Sequence, residues 1–484
     1  MKIFKLLPVF IFCISNILVT GQTVSFTYGD VTTPDIIKNI EYNNFSVNGN
    51  RYFISSFTET MIQKYAVYCY ANDGSLNYHK TIELNPGVVG NTFEVTDIIP
   101  FANDAWAIVE HLDKGAGKNT LTARKIDPAG NIAATGNDLM AIPFEKTMNA
   151  GNNYLSCSPD NNYIGVIGEL PFEKEVPCKL KYAVYDKAFK KTWNGEITLP
   201  GENTKNKTLE MVMANDGTLY VIKETMSKIG EMELTVYQCT AGATEVKEYE
   251  LMIDAPNYFT SYKYVVNPAN ELIVSGTYYK RTTVSTGEPK VNGLFYFTNK
   301  GKGQNVMKMV ALDAPVENLI AQKLILNDNT IFLATEQYKV ETETPASPSA
   351  SLEYNYKYMH KSDFVIAMDQ EGNKKFQIEI AKDFTSRNYD GEYHTSYTIC
   401  NGKLTLVYND ALKKYIEGHD YGYLALLVQI TNDGLMMAPV QFWDALSING
   451  VMYPCFSVQD KEDQFSLMTL SPDKAKMITI KVSD

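Results

Sequence analysis

An antiparallel strand module that returns about eight times constrains this chain more than any other feature, because repeats of this size stack on one another instead of forming separate domains. The first tight turns are Asn48-Gly49-Asn50, Ala102-Asn103-Asp104-Ala105, Pro159-Asp160-Asn161-Asn162 and Asn215-Asp216-Gly217-Thr218. They continue as Asn267-Pro268-Ala269-Asn270, Asn327-Asp328-Asn329-Thr330, Asn401-Gly402-Lys403 and Gln459-Asp460-Lys461-Glu462-Asp463. Asn, Asp and Gly take left-handed backbone angles at low cost, which is why they dominate hairpin turns. The spacing stays near ~55–60 residues, with one wider interval between the sixth and seventh modules.

Each turn leads into a short, nearly continuous apolar run, such as Tyr52–Phe57, Trp106–Val109, Tyr163–Ile167, Leu272–Ser275, Ile331–Ala334 and Leu404–Tyr408. Such runs suit strands covered on both faces. A third strand follows, for example Tyr65–Tyr70 or Leu424–Ile430, then a second turn such as Asp127-Pro-Ala-Gly130 or Asp369-Gln-Glu-Gly372, then a closing strand. Four antiparallel strands per unit at this period predict an all-β fold, a single β-propeller with eight four-stranded blades, seven being the next count. The last module stops after three strands, and Val24–Tyr28 at the other end supplies a fourth. A ring closed by N- and C-terminal strands removes exposed sheet edges.

Residues 1–21 read as a signal peptide: Lys2 and Lys5 precede an apolar run from Leu6 to about Val19, and Val19 and Gly21 occupy the cleavage positions. The remainder, 22–484, is one propeller domain without linkers. Export to the periplasm or the extracellular space is therefore expected, and no later run is long enough to span a bilayer. The net charge of −12 becomes −14 once Lys2 and Lys5 are removed, with no basic stripe, so nucleic acid and anionic lipid surfaces are disfavoured partners. Cys69, Cys157, Cys178, Cys239, Cys400 and Cys455 are too dispersed for a disulfide framework or a zinc ribbon. Buried free thiols are the expectation, with Cys157 and Cys178 the one pair inside a module.

Ser158-Pro159-Asp160-Asn161-Asn162-Tyr163-Ile164 resembles the turn of WD40-like exported propellers, and Asn215-Asp216-Gly217-Thr218-Leu219-Tyr220-Val221 is similar to that of NHL-type propellers. With its signal peptide and Tyr/Asn-rich composition, the chain resembles exported β-propellers of Bacteroidetes-type bacteria whose function is uncharacterised. Asp186–Trp193 faintly resembles a quinoprotein dehydrogenase repeat, but that family docks a Trp in nearly every blade, and this chain has 3 Trp in all. Sialidase Asp boxes, kelch glycine pairs and true WD40 pairings are missing.

No nucleophile elbow, HExxH, P-loop or dinucleotide-binding glycine motif occurs, so neither a cofactor nor a metal site is expected from sequence spacing. Topology directs attention elsewhere. The tight turns fall on one face of a propeller and the remaining loops gather on the other; the longest expected loops are Lys339–Ser362, Ala381–Ser396 and Ala411–Tyr421. They hold His360, His394 and His419, which are three of the 5 His in the chain. Asp390, Glu392, Glu417 and Asp420 accompany them, with Tyr356, Tyr358, Tyr393, Tyr415 and Tyr421. Such a cluster could bind, hold a metal or transfer protons; the alternative is a set of solvated loop residues. The chain is thus expected to be a monomeric, non-catalytic binding or scaffold propeller that engages a protein or glycan through its long-loop face. The competing expectation is a polysaccharide hydrolase or lyase using His and carboxylates of blades six and seven.

Overall fold

A computed structural model describes residues 23–32, 44–59, 62–82, 84, 91–200, 207–227, 230–241, 246–281, 290–300, 304–343, 355–387, 394–411, 414, 423–444, 451–471 and 474–483. Among these residues the strands group into four-stranded antiparallel units, all but the last ordered as in sequence. Counted as sheets there are seven, because the unit starting at Lys207 and the unit starting at Asn257 are joined by one pairing, Met232 with Phe259. Counted as four-stranded units there are eight. The last one takes its outer strand from the N-terminal side: Thr23–Thr32 pairs antiparallel with Lys474–Ser483, in a register that includes Val24↔Val482 and Phe26↔Ile480. The strand Val451–Lys461 packs on Phe45–Val47 and Asn50–Glu59, so the last unit meets the first and the ring closes.

The near-continuous apolar runs follow from this arrangement. Side chains alternate between the two faces of a strand, and each sheet lies between two others. In blade six, Ile331 and Leu333 pack with Ile273, Leu294 and Tyr296 of blade five. The intervening Phe332 and Ala334 pack with Leu404, Leu406 and Tyr408 of blade seven. All four are fully buried. Equivalent clusters join blade one to blade two through Ile54, Val67, Val95 and Ala107, and blade eight to blade one through Phe53, Tyr68, Met468 and Met477.

The hairpin turns adopt the backbone angles that their residues predict: Asn48 and Gly49 stand at φ 50° and 76°, Asn401 and Gly402 at 49° and 66°. The first-turn asparagines also link neighbouring blades. Asn215 Oδ1 accepts from the Asp160 amide at 3.0 Å, and Asn270 Oδ1 accepts from the Asn215 amide at 3.1 Å. Further round, Asn327 Nδ2 donates to the Gly402 carbonyl at 2.7 Å and Asn401 Nδ2 to the Val482 carbonyl at 2.8 Å.

Part of the sequence reading is corrected in blade six. Much of Lys339–Ser362, expected as a loop, is strand: the second strand runs Thr330–Glu343 and the third Asn355–Met368, paired from Tyr338↔His360 out to Glu343↔Asn355. The alternation of Tyr338, Val340 and Thr342 opposite Tyr356 and Tyr358 carries strand character that the intervening charges obscured. Those charges point to the other face, where Lys339 and Lys357 flank Glu341 at 3.3 and 3.7 Å. Within the expected loop Ala381–Ser396, a short strand Phe384–Arg387 pairs with Lys357–His360. Blade six therefore extends beyond the ring body as a three-stranded arm.

Candidate functional site

The second strand of blade six carries its inward-facing period past the core: Phe332 and Ala334 face blade seven, and Glu336 and Tyr338 follow on the same face. Glu336 stands directly opposite Asp363 of the third strand. Two carboxylates opposite each other repel, and both are fully buried. The Lys382 ammonium, from the crossover towards blade seven, reconciles them. Its Nζ lies 2.5 Å from Glu336 Oε1 and 3.0 Å from Asp363 Oδ1, and it donates to Thr395 Oγ1 at 2.6 Å. Thr395 Oγ1 in turn donates to Asp363 Oδ2 at 2.6 Å, and the Tyr397 hydroxyl donates to Asp363 Oδ1 at 3.2 Å.

Two register shifts bring further groups in. Between Glu336↔Asp363 and Tyr338↔His360 the third strand holds two extra residues against one. His360 and Asp363, three apart in sequence, consequently share a face, a typical use of a bulge to re-aim a side chain. His360 Nδ1 lies 3.0 Å from Glu336 Oε1. A second irregularity in the inner strand, between Ala321 and Lys323, isolates Gln322, whose Nε2 donates to Glu336 Oε2 at 2.9 Å. His394, preceding the blade-seven inner strand Ser396–Cys400, hydrogen-bonds the same Oε2 through Nδ1. The ring centroids of His360 and His394 are 4.8 Å apart, and Tyr338 lies 5.2 and 5.1 Å from them.

The electrostatics follow from burial and partners. Burial would raise the Glu336 carboxyl, but the Lys382 ammonium and the hydrogen bonds from His360 and His394 outweigh it and hold the group well below the usual carboxylate range. Burial dominates at Asp363, with Glu336 adding to it, and Lys382 only partly offsets the rise to about 6. Burial also lowers His360 against the pull of Glu336. The buried Lys382 would lose its proton more easily, yet Asp363 and Glu336 raise it above an ordinary lysine. The result is a water-excluded network with one ionisable member facing solvent: the His394 side chain is 21% exposed, whereas those of Glu336, His360 and Lys382 are at most 1% exposed.

Of the residues singled out in the sequence, the structure brings His360 and His394 together. His360 is on a strand and completely buried, not in a solvated loop. Asp390, Glu392, Tyr393, Tyr415, Glu417, His419 and Asp420 lie outside the described residues. Glu336, Asp363, Lys382, Thr395 and Gln322 escaped the sequence reading. A signal for Glu336 and Asp363 was present: each is an acid at a core-facing position of an otherwise apolar alternation. Cys157 and Cys178, the one pair considered for a disulfide, are free thiols, and Cys178 Sγ lies 3.7 Å from Glu169 Oε1.

Chemically, the cluster offers a carboxylate-backed imidazole at the surface and a compact set of donors beneath it. One nitrogen from each of His360 and His394 and one oxygen of Glu336 lie within 4.8 Å of one another.

No protein-family model matches the chain, and no curated protein matches it in sequence. Among solved structures, it is similar to the β-propeller domain of the Trilobed protease from Pyrococcus furiosus at 8% identity and a TM-score of 0.39, covering 84% of this chain and 99% of that one. It is similar to a DUF4221 family member from Bacteroides vulgatus at 10% identity and a TM-score of 0.31, covering 95% and 99%. The polysaccharide lyase Uly1 shares 9% identity at a TM-score of 0.33, covering 80% and 89%. At these values none of the three bears on the chemistry of this chain.

Proposed function

We propose that this protein is an exported, monomeric binding propeller that holds a glycan against the arm of blade six. The observation that carries the reading is the composition of one face of that arm. Val340, Tyr338, Tyr356 and Tyr358 alternate onto the face that also bears His360 and Phe384, in the register Val340↔Tyr358, Tyr338↔His360 and His360↔Phe384. Val340 and Tyr356 are 43% and 40% exposed, and the Tyr356 and Tyr358 rings lie 6.2 Å apart. The face thus grades from the exposed Tyr356 through the half-buried Tyr358 and Tyr338 into the Glu336–His394 pair. Aromatic rings offer flat apolar surfaces with polar tips, which suit the alternating apolar and hydroxyl surfaces of a sugar. A rigid ring scaffold limits the ordering cost of binding. The export signal, the acidic charge and the turns resembling WD40-like and NHL-type propellers support a Bacteroidetes-type periplasmic or extracellular setting, with neither nucleic acid nor inserted membrane as partner.

A glycan array followed by calorimetry on Tyr356→Ala and Tyr358→Ala tests this. Binding that falls at least ~10-fold in either variant is expected, equivalent to roughly 1.4 kcal/mol. Unchanged binding, or no glycan retained at all while a protein ligand is captured on the same face, refutes the glycan assignment.

A second reading has an observation of its own. His394, hydrogen-bonded to an ionised Glu336 and open to solvent, has the arrangement of an oriented general base, as a polysaccharide lyase or hydrolase would require. Turnover of a bound polysaccharide that disappears in His394→Ala would replace the binding-only reading.

A further inference from the structure

We propose that Glu336, His360 and His394 form a binding site for a divalent transition-metal cation of the zinc type, buried at the seam between blades six and seven. The proposal stands apart from what docks on the arm, and either can fail without the other.

The geometry comes first. Three ligating groups from three separate segments converge so that one donor atom of each lies within 4.8 Å of the other two. Two imidazoles and one carboxylate are a donor set matched to zinc, cobalt or iron(II), and poorly matched to calcium or magnesium, which select oxygen.

A second, independent observation points to a ligand. His360 is completely buried, and its Nε2 has no hydrogen-bond partner among the described residues. With Nδ1 engaged by Glu336, the second ring nitrogen is enclosed without a partner among the described residues, a costly arrangement for a buried polar atom. A cation is the partner such a nitrogen lacks.

The surroundings match those of a metal centre. Lys382 and Gln322 each hold one oxygen of Glu336, at 2.5 and 2.9 Å, fixing the carboxylate plane. Phe384 packs edge-on to His360 at 5.8 Å, and Tyr338 lies against both rings. Outer groups of this kind orient ligands and tune affinity. His394, alone among the three in reaching solvent, provides the route in.

The test uses the full mature chain stripped with a chelator, then titrated with cobalt(II) while visible absorption is recorded, with metal content measured after dialysis against zinc. One equivalent of metal is expected, with the ligand-field absorption of a low-coordinate cobalt site. His394→Ala, at the exposed edge of the cluster and hence least disruptive to folding, should weaken binding by at least ~100-fold, beyond what loss of an outer-shell group typically costs. Absence of the cobalt absorption in the native chain, or an affinity unchanged by His394→Ala, overturns the proposal. Glycan binding by the same metal-free protein separates this outcome from that of the arm.

Discussion

Replacing Lys382 with Met preserves the length of the buried stem and deletes the charge, and the structure sets the size of the consequence. The ammonium directs its contacts to Glu336 Oε1, Asp363 Oδ1 and Thr395 Oγ1, at 2.5, 3.0 and 2.6 Å. After its removal Glu336 retains His360, His394 and Gln322, and Asp363 retains Thr395 and Tyr397. Two buried carboxylates in direct cross-strand register then have no cation between them. Breaking a buried ion pair from one side costs about 3–5 kcal/mol, because the remaining charge is left uncompensated. Asp363→Asn in the same background removes one of the two charges while keeping an acceptor for Thr395. The double variant should therefore recover roughly 2 kcal/mol relative to the sum of the single changes, a coupling typical of residues in one network. Urea unfolding in chelator, followed by tryptophan fluorescence and circular dichroism, measures all four corners of the cycle. A cost below ~1 kcal/mol for Lys382→Met, or strict additivity in the double variant, would show that the network is not the ionised, water-excluded assembly described above.

Three further outcomes are expected. At Gly372, with φ 76°, an added Cβ would lie 2.3 Å from the ring of Tyr296, whose hydroxyl donates to the Gln370 carbonyl; Gly402, at φ 66°, has nothing within 4 Å. Gly372→Ala should cost about 2–3 kcal/mol and Gly402→Ala about 1 kcal/mol, the shared part being the left-handed backbone penalty and the excess the displaced ring; equal shifts in calorimetry would contradict the seam contact. Glu169 is buried, yet the 2.6 Å contact with Lys207 and the hydrogen bonds from Asn152 and Tyr154 outweigh burial and lower its pKa. Its stabilising contribution is present above the ordinary glutamate pKa and disappears as pH falls through the depressed native value, so Glu169→Gln should flatten the stability profile in that acid window. A profile parallel to that of the native chain counts against the pair. Burial pushes the Cys239 thiol up to about 12, and the residue is 2% exposed, so it should resist a thiol-specific reagent at mildly alkaline pH and react once urea unfolds the chain; rapid native-state labelling would contradict its burial.

The sequence alone determined the parts of the fold that depend on short-range sterics. Left-handed turn residues mark where the chain reverses, and apolar runs covered on both faces show that sheets must be stacked against sheets. A three-stranded last module, with a spare strand at the other end, foretold the pairing of Thr23–Thr32 with Lys474–Ser483. These features repeat, and repetition makes local signals legible. The same reasoning drew attention to His360 and His394 by locating the wide interval in the repeat.

Only the tertiary structure decided what those two residues meet. Register shifts at Gln322 and within Lys361–Ser362 are invisible to periodicity, because a bulge reverses which face every subsequent residue occupies. Glu336 and Asp363 become neighbours through pairing across a hairpin, and Lys382, His394 and Thr395 reach them from the crossover into the next blade. The second task of the turn asparagines, linking Asp160, Asn215 and Asn270 from blade to blade, is equally non-local. Turn chemistry acts over a few residues and is written in the chain; the buried site is made by strand register and by the apposition of separate blades, which exist only once the ring has closed.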